Sequence, residues 1–278
     1  MTLSRKQLRF SVLMLTLLQV AFTASGQAPP RGSRTDTTVF LLNTKEVRMI
    51  RYQYGEPHIR FLALHDTEKT GLKAAFEFIR LFGGSAVELN YGKGRYIQFS
   101  DNSKHFSFDP NNMFTDEGAY LGLARFSEPQ IHDGVPEKVR HLGKEVLNVA
   151  KPDSLGVIVT LHNNYNGGFS IHSYTPGNYL ETSAEDVYIN SEMDPDNFVF
   201  VTERRFFDYL KQNRVNVVLQ SPEVPDDGSL SVFAMQNNIP YANIESQHGH
   251  VDENYRLITV VNAMLKEIPL DFYSNTKK

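Results

Sequence analysis

His65 and Glu68 stand three positions apart in the run His65-Asp66-Thr67-Glu68, and His162 lies far along the chain from them. Neutral imidazole and carboxylate are ordinary zinc donors, and a catalytic zinc takes three protein ligands while keeping one position for water. The sequence contains no cysteine, so a metal site here must be built from histidine and carboxylate. Water activated by such a metal can attack a carbonyl carbon if a nearby carboxylate takes its proton. Glu245 is the candidate for that base. These residue types at these positions point to metal-assisted hydrolysis.

Each signal has a plainer alternative. The chain holds nine histidines, and a second His-x-x-Glu occurs at His250-Val251-Asp252-Glu253. Glu253 is expected instead to open the last helix as an acid favoured by the helix dipole. His248 and His250 are expected to hydrogen-bond near the site or to face solvent. Asp66 could orient a ligand imidazole or serve as a turn residue. Asp109-Pro110-Asn111-Asn112 is turn chemistry in its own right. A lone histidine is a core or loop residue as readily as a ligand, so the case for a centre rests on where the chain delivers these side chains.

That question turns on the elements around them. TTVFLL, PHIRFLAL, SAVELN, RYIQFS, SLGVIVTL, NVVLQS and IPYANIE are short apolar or alternating runs bounded by Gly, Pro, Asn and Asp, the pattern of strands. Between them, EKTGLKAAFEFIRLFGG, PEKVRHLGKEVLNVA, TERRFFDYLKQN and NYRLITVVNAMLKEI carry apolar residues at helical spacing. Paired glycines stop the first of these helices, and Thr202 is placed to cap the third. Strands alternating with helices predict an α/β sheet covered on both faces. In such sheets the reactive groups gather at the carboxyl ends of strands. His65, His162 and Glu245 each follow an apolar strand run, so one rim of the sheet would receive all three.

Taken in chain order, HDTEKT, RYIQF, FDPNNMFT, VTLHNN and YANIESQHG resemble the motif series of the zinc carboxypeptidase and succinylglutamate desuccinylase/aspartoacylase superfamily. That series runs His-x-x-Glu, Arg-Tyr-Ile, Asp-(Leu/Pro)-Asn-Arg-x-Phe, a strand-ending His and a strand-ending Glu. The resemblance spans residues 58–250. It implies a three-layer α/β/α sandwich around a mixed, mostly parallel sheet, one Zn2+ per chain on His65, Glu68 and His162, and hydrolysis of an amide. It further implies that Arg95 polarises the scissile carbonyl or holds substrate and that Asn111 touches a substrate carboxylate. Ile171-His172-Ser173-Tyr174 is similar to the His-Ser-Tyr segment of classical carboxypeptidases, which makes His172 the alternative to His162 and puts Tyr174 near the rim.

One position departs from the series. Asn112 stands where the motif has arginine, and an amide cannot replace a planar, permanently charged bidentate donor. Either Arg125, Arg204 or Arg205 reaches the same pocket, or the substrate has no carboxylate there, or the chain binds a peptide or glycan in that cleft without turnover. A peptide, including a cell-wall peptide, or an N-acyl amino acid is the expected substrate, with Asn111, Asn112, Arg125 and Tyr174 as its expected contacts.

Composition fits a globular chain of 278 residues, with 41% hydrophobic and 22% charged residues and a net charge of -4. That balance offers no basic surface for nucleic acid. Arg5, Lys6 and Arg9 precede an apolar run over residues 10–22 that is too short to span a bilayer comfortably. Ala24 and Gly26 then fit a leader cleaved before Gln27. The expectation is a signal peptide over residues 1–26, one catalytic domain over 27–278, a periplasmic or secreted location, and no membrane span after cleavage.

Overall fold

The computed structural model describes residues 28–128, 130–150 and 156–270. The expected leader lies outside them. Nine strands form one sheet: β1 (Arg34–Leu42), β2 (Lys45–Tyr54), β3 (Arg60–Ala63), β4 (Gly84–Asn90), β7 (Ile158–Asn164), β8 (Ala184–Tyr188), β9 (Phe198–Val201), β10 (Val217–Gln220) and β11 (Tyr241–Gln247). Their order is β1-β2-β4-β3-β7-β11-β9-β10-β8. A separate hairpin joins β5 (Ile97–Asp101) to β6 (Lys104–Phe108). The helices are α1 (Lys69–Phe82), α2 (Asp116–Phe126), α3 (Val135–Ala150), α4 (Arg204–Gln212), α5 (Leu230–Gln236) and α6 (Val251–Glu267).

Period-two alternation divides the sheet's side chains between two cores. Val199 and Val201 of β9 join Val159, Leu161, Ala242 and Ile244 under α1, α4 and α6. Phe198 and Phe200 of the same strand face the opposite way, into the core with α2, α3 and α5. Helices therefore cover both faces, and the layering is the expected α/β sandwich. The sheet is mixed, with the parallel run β4-β3-β7-β11 at its centre and one further parallel pair, β9-β10. The other four neighbouring pairs are antiparallel. Parallel and antiparallel pairs are thus equal in number, because the β1-β2 hairpin and the returning strands β8 and β9 add antiparallel partners that the apolar pattern does not distinguish.

The sequence runs read as strands appear as β1, β3, β4, β5, β7, β10 and β11, and the four helical patterns as α1, α3, α4 and α6. Glu253 lies in the first turn of α6, as expected. Thr202 does not cap α4. The residue before that helix is Glu203, which makes no side-chain cap bond, while the Thr202 hydroxyl accepts from the Tyr241 N–H of the neighbouring strand at 3.1 Å. Among the described residues no helix is long and apolar enough to cross a membrane.

Candidate metal centre

The carboxyl ends of β3, β7 and β11 meet on one rim because those strands run parallel. His65 follows β3 by two residues, His162 lies within β7, and Glu68 closes the turn into α1. Glu68 sits at the N-cap position yet makes no capping bond. Asn163 does that work instead, its Oδ1 accepting from the Thr70 N–H at 3.0 Å. The free N–H groups at a helix start must find acceptors, so Asn163 leaves the Glu68 carboxylate available to the site.

Three donor groups converge there. His65 Nδ1 lies 3.2 Å from His162 Nδ1 and 3.1 Å from Glu68 Oε1, and His162 Nδ1 lies 3.0 Å from Glu68 Oε2. One ligand atom from each of His65, Glu68 and His162 falls within 4.8 Å of the others, and all three residues are buried. On its far side His65 Nε2 donates to Asp109 Oδ1 at 2.7 Å. An ionised carboxylate only accepts, so Nε2 keeps its proton and Nδ1 is the atom left to bind a cation. This carboxylate-imidazole arrangement is what fixes ring orientation and raises donor basicity at metal sites. Two nitrogens and a carboxylate suit zinc and other first-row divalent ions.

Without a cation the pocket manages its charges with protons. Burial opposes a charged His65 ring, but hydrogen bonds to Asp109 and Glu68 outweigh it and raise its pKa to about 9. Burial likewise opposes the Glu68 anion, and the two imidazoles overcome that penalty and hold it well below the usual carboxylate range.

Glu245 pairs directly with His162 in the β7-β11 register, so both side chains leave the sheet on the same face. Burial pushes the Glu245 carboxyl up to about 7, with Glu68 adding to the shift and His162 and the Asn243 amide opposing it. Both residues line a cavity of about 460 Å³ together with Glu68, Arg95, Asn111 and Tyr174. That volume falls in the range of small-ligand sites.

Arg95 is held on two sides, its Nη1 donating to Glu68 Oε1 at 2.7 Å and its Nε lying 3.3 Å from Asp109 Oδ2. Asp66 organises the loop that delivers it. Asp66 Oδ2 accepts from the N–H groups of Tyr91, Gly92 and Lys93, and the Tyr91 hydroxyl donates to the Arg95 carbonyl. Of the two roles open to Asp66, the structure shows the turn role, and Asp109 is the residue that supports the imidazole. Asp109 also accepts from the Asn111 N–H at 2.9 Å, so its turn signature was real but only half its use.

Two expected substrate residues lie elsewhere. Asn112 is outside the cavity lining; its Nδ2 donates to the Asp227 carbonyl at 2.7 Å, and its Cβ packs where Gly122 leaves room for it. Arg125 is exposed on α2 with its guanidinium over the Phe126 ring at 5.3 Å. Arg204 is paired with Glu185 and Asp186, away from the lining residues, and Arg205 is not among them either. His172 is exposed in a short 3-10 turn and is not part of the converging group, so His162 takes the third place. His248 stacks on Tyr165, which lines the cavity and is 69% exposed.

No protein-family model matches the chain, and no curated protein does. Among solved structures, the arrangement is similar to an aspartoacylase family protein from Mesorhizobium loti, with a TM-score of 0.39 and 10% identity over 88% of this chain and 69% of that one. It is also similar to leucyl aminopeptidase from Trypanosoma brucei, with a TM-score of 0.41 and 10% identity over 85% of this chain and 54% of that one. The bottromycin maturation enzyme BotP gives 0.39 and 10%, with 84% of this chain and 62% of that one covered. The chain thus spans between about half and two-thirds of the length of the aminopeptidase and of BotP. The functional reading comes from the side chains of the cleft.

Proposed function

We propose that this chain is an exported, zinc-dependent amide hydrolase acting on a peptide or an N-acyl amino acid. The observation that carries the proposal is the convergence of His65, Glu68 and His162 beside a cavity that Glu68 and His162 line, with Glu245 in register beside His162. His65, Glu68 and His162 would hold zinc, which supplies polarisation of the scissile carbonyl and an acidified water. Glu245 accepts the proton of the attacking water and passes it to the leaving nitrogen, a role suited to a carboxyl with a pKa near 7. Asp109 holds the His65 ring in the tautomer that presents Nδ1. Tyr174 and Asn111 contact the bound substrate from the cavity wall.

Export rests on the leader-like pattern of residues 1–26, and a wall peptide is the substrate class that such a location favours. A second reading, a cleft that binds peptide or glycan without turnover, is favoured by Arg95, whose guanidinium is already occupied by Glu68 and Asp109.

Elemental analysis of the chain from Gln27 onward, beside a His65→Ala/His162→Ala double variant, tests the centre. About one zinc per chain, lost in the double variant, is the expected result; no zinc in either sinks the hydrolytic mechanism. Turnover of N-acyl amino acids or peptides that stops in Glu245→Gln while zinc stays bound separates the hydrolase from the silent binder.

A further inference from the structure

The cavity that leads away from the candidate metal centre has a chemistry of its own. Its wall on the α5 side carries Phe169, Tyr174, Phe200, Leu230, Val232 and Tyr241. The aromatic members pack on one another, Phe169 on Tyr174 at 5.8 Å and Tyr174 on Phe200 at 5.4 Å between ring centroids, which fixes the shape of that wall. Between the apolar groups sit neutral polar ones, Gln220, Ser231 and Asn243.

Among the described residues that line the cavity, Arg95 is the one arginine or lysine, and the carboxyl groups are those of Glu68, Asp227 and Glu245. Its guanidinium is neutralised by Glu68 and Asp109, so it offers no unmatched positive charge to a ligand. A carboxylate brought against this apolar wall, away from the candidate metal centre, would be desolvated with no free arginine or lysine among the described lining residues to pair it, which is unfavourable.

We infer that the cleft selects substrates whose group next to the scissile amide is uncharged and apolar or aromatic, and that it rejects a free carboxylate there. The inference rests on reading this cavity as the substrate cleft, and it narrows the proposed substrates: this chain would cut within or at blocked ends of peptides rather than release a terminal amino acid bearing its carboxylate, which leaves out N-acyl amino acids with a free carboxylate.

The test is equilibrium binding by calorimetry of two probes that share a ring and differ in one group, N-acetyl-phenylalaninamide and N-acetyl-phenylalanine. Both are measured against the full chain with and without added zinc. The neutral amide is expected to bind at least about tenfold more tightly in both conditions; a zinc ion would itself attract the carboxylate, so the comparison with zinc is the harder one. A carboxylate probe that binds equally or better in either condition overturns the inference, as does failure of both probes to bind. The two readings separate cleanly: amide preference without hydrolysis of any blocked peptide leaves the specificity standing and removes the enzyme, whereas hydrolysis with carboxylate preference does the reverse.

Discussion

His65 and Asp109, distant in sequence, meet through a 2.7 Å hydrogen bond from Nε2 to Oδ1, on the side of the ring opposite Glu68 and His162. The bond commits Nδ1 of His65 to the converging donors. Asp109→Asn keeps the size but can present its amide nitrogen in place of an acceptor, so the ring loses its fixed tautomer. Zinc affinity is expected to fall by about 10–100-fold, measured by chelator competition, with the circular dichroism spectrum unchanged.

Glu245→Gln is expected to retain zinc and to lose about 10²–10⁴-fold in turnover. In the unsubstituted chain the base must be ionised to act, so the rate should rise with pH. The Glu245 carboxyl is raised to about 7 in the absence of a cation. A cation at the centre draws that value downward, which places the rising limb at or below about 7. A rate that falls across this range would exclude Glu245 as the base.

The metal-free chain should lose stability as the solution becomes alkaline. The folded-state pKa of His65 is raised from 6.5 to about 9, so its contribution is fully present below 6.5 and is lost as pH rises through 9. Zinc must displace the same proton, because a ligand imidazole binds in its neutral form. Thermal melts from mildly acidic to alkaline pH should therefore show a falling midpoint without zinc and a flatter profile with it. Calorimetry in buffers of different ionisation enthalpy should show proton release on zinc binding at neutral pH. No release would mean that His65 does not ligate.

Asn163→Ala removes the acceptor for the first turn of α1 and the amide that bonds the His162 carbonyl at 2.9 Å. A loss of about 1–2 kcal/mol is expected in denaturant unfolding. Zinc affinity should weaken as well, since the Glu68 carboxylate also accepts from the Asn163 N–H and shares that turn.

Asn112→Arg introduces the residue that the resembled motif has at this place, but not its use. The side chain lies outside the cavity, tied to the Asp227 carbonyl and packed against the close Gly122 backbone. The larger side chain is expected to cost about 1–3 kcal/mol of stability through overpacking, and the affinity for N-acetyl-phenylalanine should not improve. A gain in carboxylate binding would show that the side chain can enter the cleft.

The sequence by itself determined the elements with strong local patterns and the identities of the converging donors. The helices α1, α3, α4 and α6 were legible because apolar spacing at 3.6 residues is a local property. Strands β2 and β8 carry charged residues along their length, so their assignment depended on neighbours supplied by distant parts of the chain. His65, His162 and Glu245 could be singled out because each follows an apolar run that a central strand requires.

What only the tertiary structure decided was which polar residues face the cleft. Asp109 looked like a turn residue and Asn163 carried no signal of its own, yet their partners lie 44 and 93 positions away. Asn112 and Arg125 looked like substrate contacts, but Asn112 bonds the Asp227 carbonyl and Arg125 is exposed over the Phe126 ring. The start of α2 and the loop before α5 are brought together by a close backbone contact between Gly118 and Gly228, where a Cβ on Gly118 would stand 1.9 Å from the other glycine's Cα. Contacts of that kind couple segments that share no local signal, and so only the folded chain can fix them.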